Sequence, residues 1–182
     1  MDGRKCEELE LRGGERVQFG SATVFKFEFR DEVENEFATS LYESATRDRL
    51  TGAFNRRHLS EQLANEFSWH RRHAAPMSII FLDLDHFKRI NDDYGHLTGD
   101  EILRQAATRI LGEKRDEDMF ARYGGEEFAC LLRRTPLPAA TVIAERMRRA
   151  VAGTPFQIHG TNDSHIVTLS AGVAQTEKHM RS

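Results

Sequence analysis

The stretch from Met77 to Leu84 is a continuous apolar run that closes on the acidic pair Asp83-Leu84-Asp85. A run of this length reads as a central strand buried on both faces, which forces the rest of the chain to supply covering layers. The periodicity of the flanking segments shows where those layers come from. Leu59, Leu63 and Phe67 recur every four residues behind Asn55, a residue suited to capping a helix. Thr98 and Glu101 form a candidate capping box for a helix through Leu111, with Ile102, Leu103, Ala106 and Ile110 on its buried side. Leu137 to Val151 sets Ala140, Ile143, Ala144 and Met147 on one stripe. Between these helices, Met119–Tyr123 and Phe128–Leu132 flank Gly124-Gly125, which predicts a tight hairpin turn whose central residues use glycine's left-handed angles. The last strands end at Ile166 to Ala174. Strands and helices mixed in this order predict an α+β fold: an antiparallel-rich central sheet flanked by helices.

Ahead of that region, two short alternating runs between Arg12 and Arg30, parted by Gly20 and Ser21, fit a β-hairpin. Asp31 to Arg47 places Val33, Phe37, Leu41 and Tyr42 at helical spacing with no breaker, as expected of a linker helix. Its apolar stripe suits either pairing with a second copy or packing on the hairpin. The expected partition is therefore a hairpin over 1–30, a connecting helix over 31–47 and a main domain over 48–182.

Composition narrows the function. With 26 basic against 29 acidic residues and a formal charge of -3, the chain lacks the basic excess of a general nucleic-acid binder, so no nucleic-acid partner is expected. No apolar run approaches the roughly 20 residues that span a bilayer, and the polar start lacks a secretory core; no membrane partner and a cytoplasmic location are expected. Of the two cysteines, Cys6 reads as a free thiol and Cys130, inside an apolar strand, as a packing group.

The chemistry-bearing residues gather in a few motifs: Asp83-Leu84-Asp85-His86-Phe87-Lys88, Asn91-Asp92-Asp93-Tyr94-Gly95-His96, and Arg122-Tyr123-Gly124-Gly125-Glu126-Glu127-Phe128. Acidic groups at a strand end and at a neighbouring hairpin can hold a divalent cation against a triphosphate. In their order and spacing, from about Asp48 to Ala174, these motifs resemble the GGDEF family of diguanylate cyclases, in a GGEEF form. The resemblance implies a ferredoxin-like core shared with nucleotidyl cyclases and polymerase palm domains. It implies condensation of two GTP into cyclic di-GMP and two pyrophosphates by a homodimer of half-sites.

Residue by residue, the resemblance implies that Asp83, Glu126 and the Leu84 carbonyl hold Mg2+ (or Mn2+), and that Glu127 is the carboxylate activating the attacking hydroxyl. It assigns His86, Phe87 and Lys88 to the phosphates, Asn91 and Asp100 to the guanine, and Gly124 and Gly125 to the substrate loop. Arg115 and Asp118 match an Arg-x-x-Asp site at which the product cyclic di-GMP would bind and inhibit. Asp85 and His96 read as structural. The family pattern continues beyond Ser182 into a helix with a phosphate-binding lysine and arginine, so the domain is expected to be truncated and its activity reduced. The first hairpin resembles the closing strands of a forkhead-associated domain, as a remnant without phosphopeptide-binding loops. The rival reading is a noncatalytic module that binds GTP or cyclic di-GMP as a receptor.

Overall fold

The computed structural model describes residues 14–19, 23–27, 31–158, 160–161 and 163–176; the Gly20-Ser21 turn, Cys6 and the last six residues lie outside them. The chain divides into two compact units, Met1–Glu43 and Ser44–Ser182. In the first, strands β1 (Arg16–Phe19) and β2 (Thr23–Lys26) pair antiparallel with Val17 opposite Phe25, the hairpin that alternation predicts. Helix α1 (Glu32–Thr46) follows, its start secured by the Asp31 carboxylate, which accepts from the Glu34 amide at 2.7 Å. Val33 and Phe37 on this helix are each more than 70% exposed (73% and 71%), so the hairpin does not bury the stripe.

The second unit opens with a turn over residues 48–53 and a two-residue strand, β3 (Phe54–Asn55). Asn55 does cap helix α2 (Arg56–His73): its side-chain oxygen accepts from the His58 amide at 2.9 Å. Strand β4 (Met77–Leu84), helices α3 (Phe87–Tyr94) and α4 (His96–Leu111), strands β5 (Met119–Arg122) and β6 (Glu127–Arg133), and helix α5 (Leu137–Ala152) come next. A small hairpin, β7 (Phe156–Gln157) with β8 (Ser164–His165), precedes the last strand, β9 (Leu169–Gln175).

The main sheet runs β3-β5-β6-β4-β9. Strand β4 is antiparallel to both β6 and β9, β5 is antiparallel to β6, and only β3 runs parallel to its neighbour. Taken as β4–α3/α4–β5–β6–α5–β9, this is the expected ferredoxin-like arrangement with helices on the sheet faces.

Strand alternation sends Ile80, Leu82 and Leu84 to one face, where they join Phe128, Cys130 and Leu132 beneath Ile102, Ala106, Ile110, Ile143, Ala144 and Met147 of α4 and α5. On the other face Leu59 of α2 packs with Met77, Met119, Ala121, Ala129 and Leu131, and Leu63 and Phe67 close the edge of this cluster. This second layer stops short. Phe81 is 41% exposed and Asp83 is open to solvent, so β4 is not buried on both faces along its length: α2 covers only its Met77 end.

Two local expectations fail for physical reasons. Helix α4 begins at His96 after Gly95, whose φ of 81° breaks the chain from α3, so Thr98 lies inside the helix. Its hydroxyl donates to the Tyr94 carbonyl at 3.0 Å, and Glu101 accepts from Arg104 and Gln105; no capping box forms. Nor does either glycine of Gly124-Gly125 take a left-handed angle, because the connection spans Tyr123 to Glu126 rather than two residues.

Candidate active site

The β5–β6 connection is built to hold its carboxylates in place. The Tyr123 and Gly124 amides both donate to the Glu127 carbonyl, at 2.8 and 3.3 Å, and the Leu84 amide donates to the Glu126 carbonyl at 3.3 Å, stitching the loop to the end of β4. The carboxylate of Glu127 lies over Gly124: a Cβ there would be 2.6 Å from Glu127 Oε2 and would move it. Around Gly125 the space is open.

Asp83 and Glu127 are direct register partners on adjacent antiparallel strands. Side chains so paired have Cβ atoms roughly 5 Å apart, and like charges facing each other there are unfavourable unless something neutralises them. The two acids line a cleft of about 350 Å³ together with Phe81, Ser170 and Gly172. Glu126, one residue away, turns into a larger cleft of about 500 Å³, which it lines with Lys88, Asn91, Asp100 and Gly125. The sequence-derived residues thus fall into two adjoining groups across one strand end. Among the described residues, no three His, Cys, Asp or Glu side chains gather as a metal cluster. Two carboxylates and a main-chain oxygen are nevertheless a fitting donor set for a hard cation that keeps water and phosphate oxygens as its remaining ligands.

Phe87 and Lys88 open α3, and His86 precedes it in a left-handed conformation with φ of 58°. The first amides of such a helix have no partner within it and favour an anion. Lys88 is exposed and Phe87 buried; both line the larger cleft. Asn91 and Asp100, from α3 and α4, are half-buried in the same cleft.

Asp85 is fully engaged: it accepts from the Thr168 hydroxyl at 2.5 Å and the Ser170 hydroxyl at 2.7 Å, while its amide donates to the Thr168 carbonyl. The Thr168 bond, aided by Ser170, brings its carboxyl below the usual range against a modest cost of burial. It ties β4 to β9, a structural role.

Arg115 points outward and Asp118 inward. The buried Asp118 accepts from the amides of Arg115 (3.2 Å) and Arg133 (3.3 Å), and burial pushes its carboxyl upward despite them. Arg115 is exposed, 3.9 Å from Glu117. Close to Asp118, the Cys130 thiol is pushed up to about 12, chiefly by burial, and is an inert packing group.

Sequence reasoning passed over Arg122 and placed His96 outside the site, yet both line the larger cleft. Arg122 donates twice to the Gly125 carbonyl, at 3.0 and 2.7 Å, and across to both carboxylate oxygens of Asp48, at 3.2 and 3.4 Å. It thereby clamps the acidic loop to the opening turn of the domain. Its position beside the glycine pair was the available signal, but a clamp needs the distant Asp48 to be seen.

Comparison with known proteins agrees with this fold. The family profile described as diguanylate cyclase, GGDEF domain, matches residues 45–182. Diguanylate cyclase DgcP of Pseudomonas aeruginosa is 44% identical over 135 residues, covering 74% of this chain and 20% of that protein. The response regulator PleD of Caulobacter vibrioides is 40% identical over 148 residues, covering 81% of this chain and 32% of that protein. The chain therefore spans about a fifth to a third of the length of these curated relatives. Among solved structures, the coiled coil and GGDEF domain of DgcB from Caulobacter crescentus, in complex with c-di-GMP, superposes with a TM-score of 0.77 at 29% identity, covering 82% of this chain and 78% of that one. No described helix is long and apolar enough to cross a membrane.

Proposed function

The chain belongs to the GGDEF-domain family of diguanylate cyclases, and from that premise we propose that it joins two GTP molecules into cyclic di-GMP with release of two pyrophosphates. The observation that carries this reading is the acidic pair Asp83 and Glu127, opposed across β4 and β6 with Glu126 beside them. Like charges directly opposed on neighbouring strands gain from a cation or proton between them.

In this reading the larger cleft holds one GTP. Asn91 and Asp100 offer an amide and a carboxylate to the guanine edge, and Lys88 and the first amides of α3 receive the phosphates. Asp83, Glu126 and the Leu84 carbonyl would hold Mg2+ or Mn2+, which supplies positive charge against the triphosphate when bound. Glu127 accepts the proton of the attacking 3′-hydroxyl, and Gly124 leaves room for its carboxylate. Arg122 keeps the loop in register through the Gly125 carbonyl. One chain offers one such cleft, so two copies must face each other across a twofold axis. Product feedback acts at Arg115, whose exposed guanidinium can grip phosphate and stack on guanine, while the buried Asp118 supports it by holding the Arg115 amide.

The test is to incubate the protein, in its full native length, with GTP and magnesium and to separate the products. Cyclic di-GMP and pyrophosphate in a 1:2 ratio are expected. Bound but unconverted nucleotide would favour the receptor reading instead.

A further inference from the structure

Gly99 is buried in the second turn of α4, a helix-interior position where alanine is the better helix former. Its φ is ordinary, so no backbone strain demands glycine there. The space above it does. A Cβ built on Gly99 would fall well inside van der Waals contact of Asn91 Oδ1, 3.0 Å from Asn91 Cγ and 3.1 Å from Phe87 Cζ. The Asn91 amide lies against the bare face of α4 at Gly99, and the buried Phe87 ring also borders that space. Asn91 and Asp100 both line the larger cleft.

We infer that Gly99 is a positioning residue for nucleotide selection: the missing side chain lets the Asn91 amide lie flat on α4 and fixes the direction in which it meets a purine edge. The inference rests on the reading of Asn91 as a base contact. What a Cβ would displace is the free end of a polar side chain, not backbone, so the fold can yield while the selective group cannot keep its place. A rotated amide offers its donor and acceptor at the wrong angles, and discrimination suffers more than folding.

The experiment compares wild type, Gly99→Ala, Asn91→Ala and the double variant, reading the thermal midpoint and the affinities for non-hydrolysable GTP and ATP analogues in magnesium. Gly99→Ala is expected to melt at or above wild type, to bind the GTP analogue roughly tenfold more weakly, as loss of one well-made hydrogen bond predicts, and to narrow the preference over ATP. In the double variant the Gly99→Ala change should cost nothing further, because the group it displaces is gone. Losses that multiply in the double variant, or a wild-type affinity in Gly99→Ala beside a weakened Asn91→Ala, would overturn the inference. So would a clear drop in melting temperature, which would make Gly99 a packing residue. If Asn91→Ala itself binds both analogues as wild type does, the base-contact reading of Asn91 fails first, and that result is separable from the others.

Discussion

At the scale of single residues, the site depends on a few groups whose environment is set by distant partners. Asp48 accepts from the Thr51 hydroxyl and amide and from Arg122, and these bonds bring its carboxyl below 3.8 although burial alone would raise it. A carboxyl lowered in the folded state binds its proton more readily when unfolded. It therefore stabilises the fold above about pH 3.8, and that contribution fades as pH falls through the lower folded value. Asp48→Ala removes the effect and leaves Arg122, only 17% exposed, with the Gly125 carbonyl alone. The variant should lose about 1–3 kcal/mol at neutral pH, as for one uncompensated charged hydrogen bond. Its stability should then decline less steeply than that of wild type below pH 4, which denaturant titrations from pH 3 to 7 would read.

Elements account for what could be read in advance. The limits of β4 and α5 follow from their patterns, because an apolar run and a four-residue stripe each mark a core-facing element, although the run overstated the burial of β4 at Phe81 and Asp83. The start of α4 was obscured because Thr98 and Glu101 look like a cap, while the actual break is Gly95 and the Thr98 hydroxyl turns back on its own helix. Strands as short as β3, β7 and β8 carry no period to detect. The lining of the two clefts was legible where motifs hold it, at Asp83, Lys88, Asn91 and Glu126. It was illegible at Arg122 and Gly99, whose roles exist only through contacts between separate elements. The same applies to Arg109, which donates to the carbonyls of Val151 (2.9 Å), Thr154 (2.5 Å) and Pro155 (3.1 Å) and lies 3.7 Å over the Phe156 ring, closing the end of α5. Arg109→Ala should destabilise the domain by about 2 kcal/mol and lower its thermal midpoint by roughly 4–8 °C without altering nucleotide affinity.

For the whole molecule, function depends on what one chain lacks. A single cleft holds one nucleotide in this account, and Val33, Phe37, Leu41 and Tyr42 form an exposed apolar stripe along α1 that a second copy can cover. Initial rates should rise faster than linearly with protein concentration below the dimer dissociation constant. Replacing Val33 and Phe37 with polar residues should move that transition to higher concentration. Strict proportionality at every dilution would show that each chain works alone.

The acidic groups at the β4–β6 end are proposed to hold a divalent cation against a bound triphosphate. Titrating Mn2+ into the protein with a non-hydrolysable GTP analogue, and following the free ion by electron paramagnetic resonance, measures this directly. Wild type should take up the ion in the presence of the nucleotide, and Asp83→Asn and Glu126→Gln should each weaken that uptake by roughly tenfold or more while the fold persists, as expected when a carboxylate ligand is lost. Unchanged Mn2+ uptake in both variants would contradict the account.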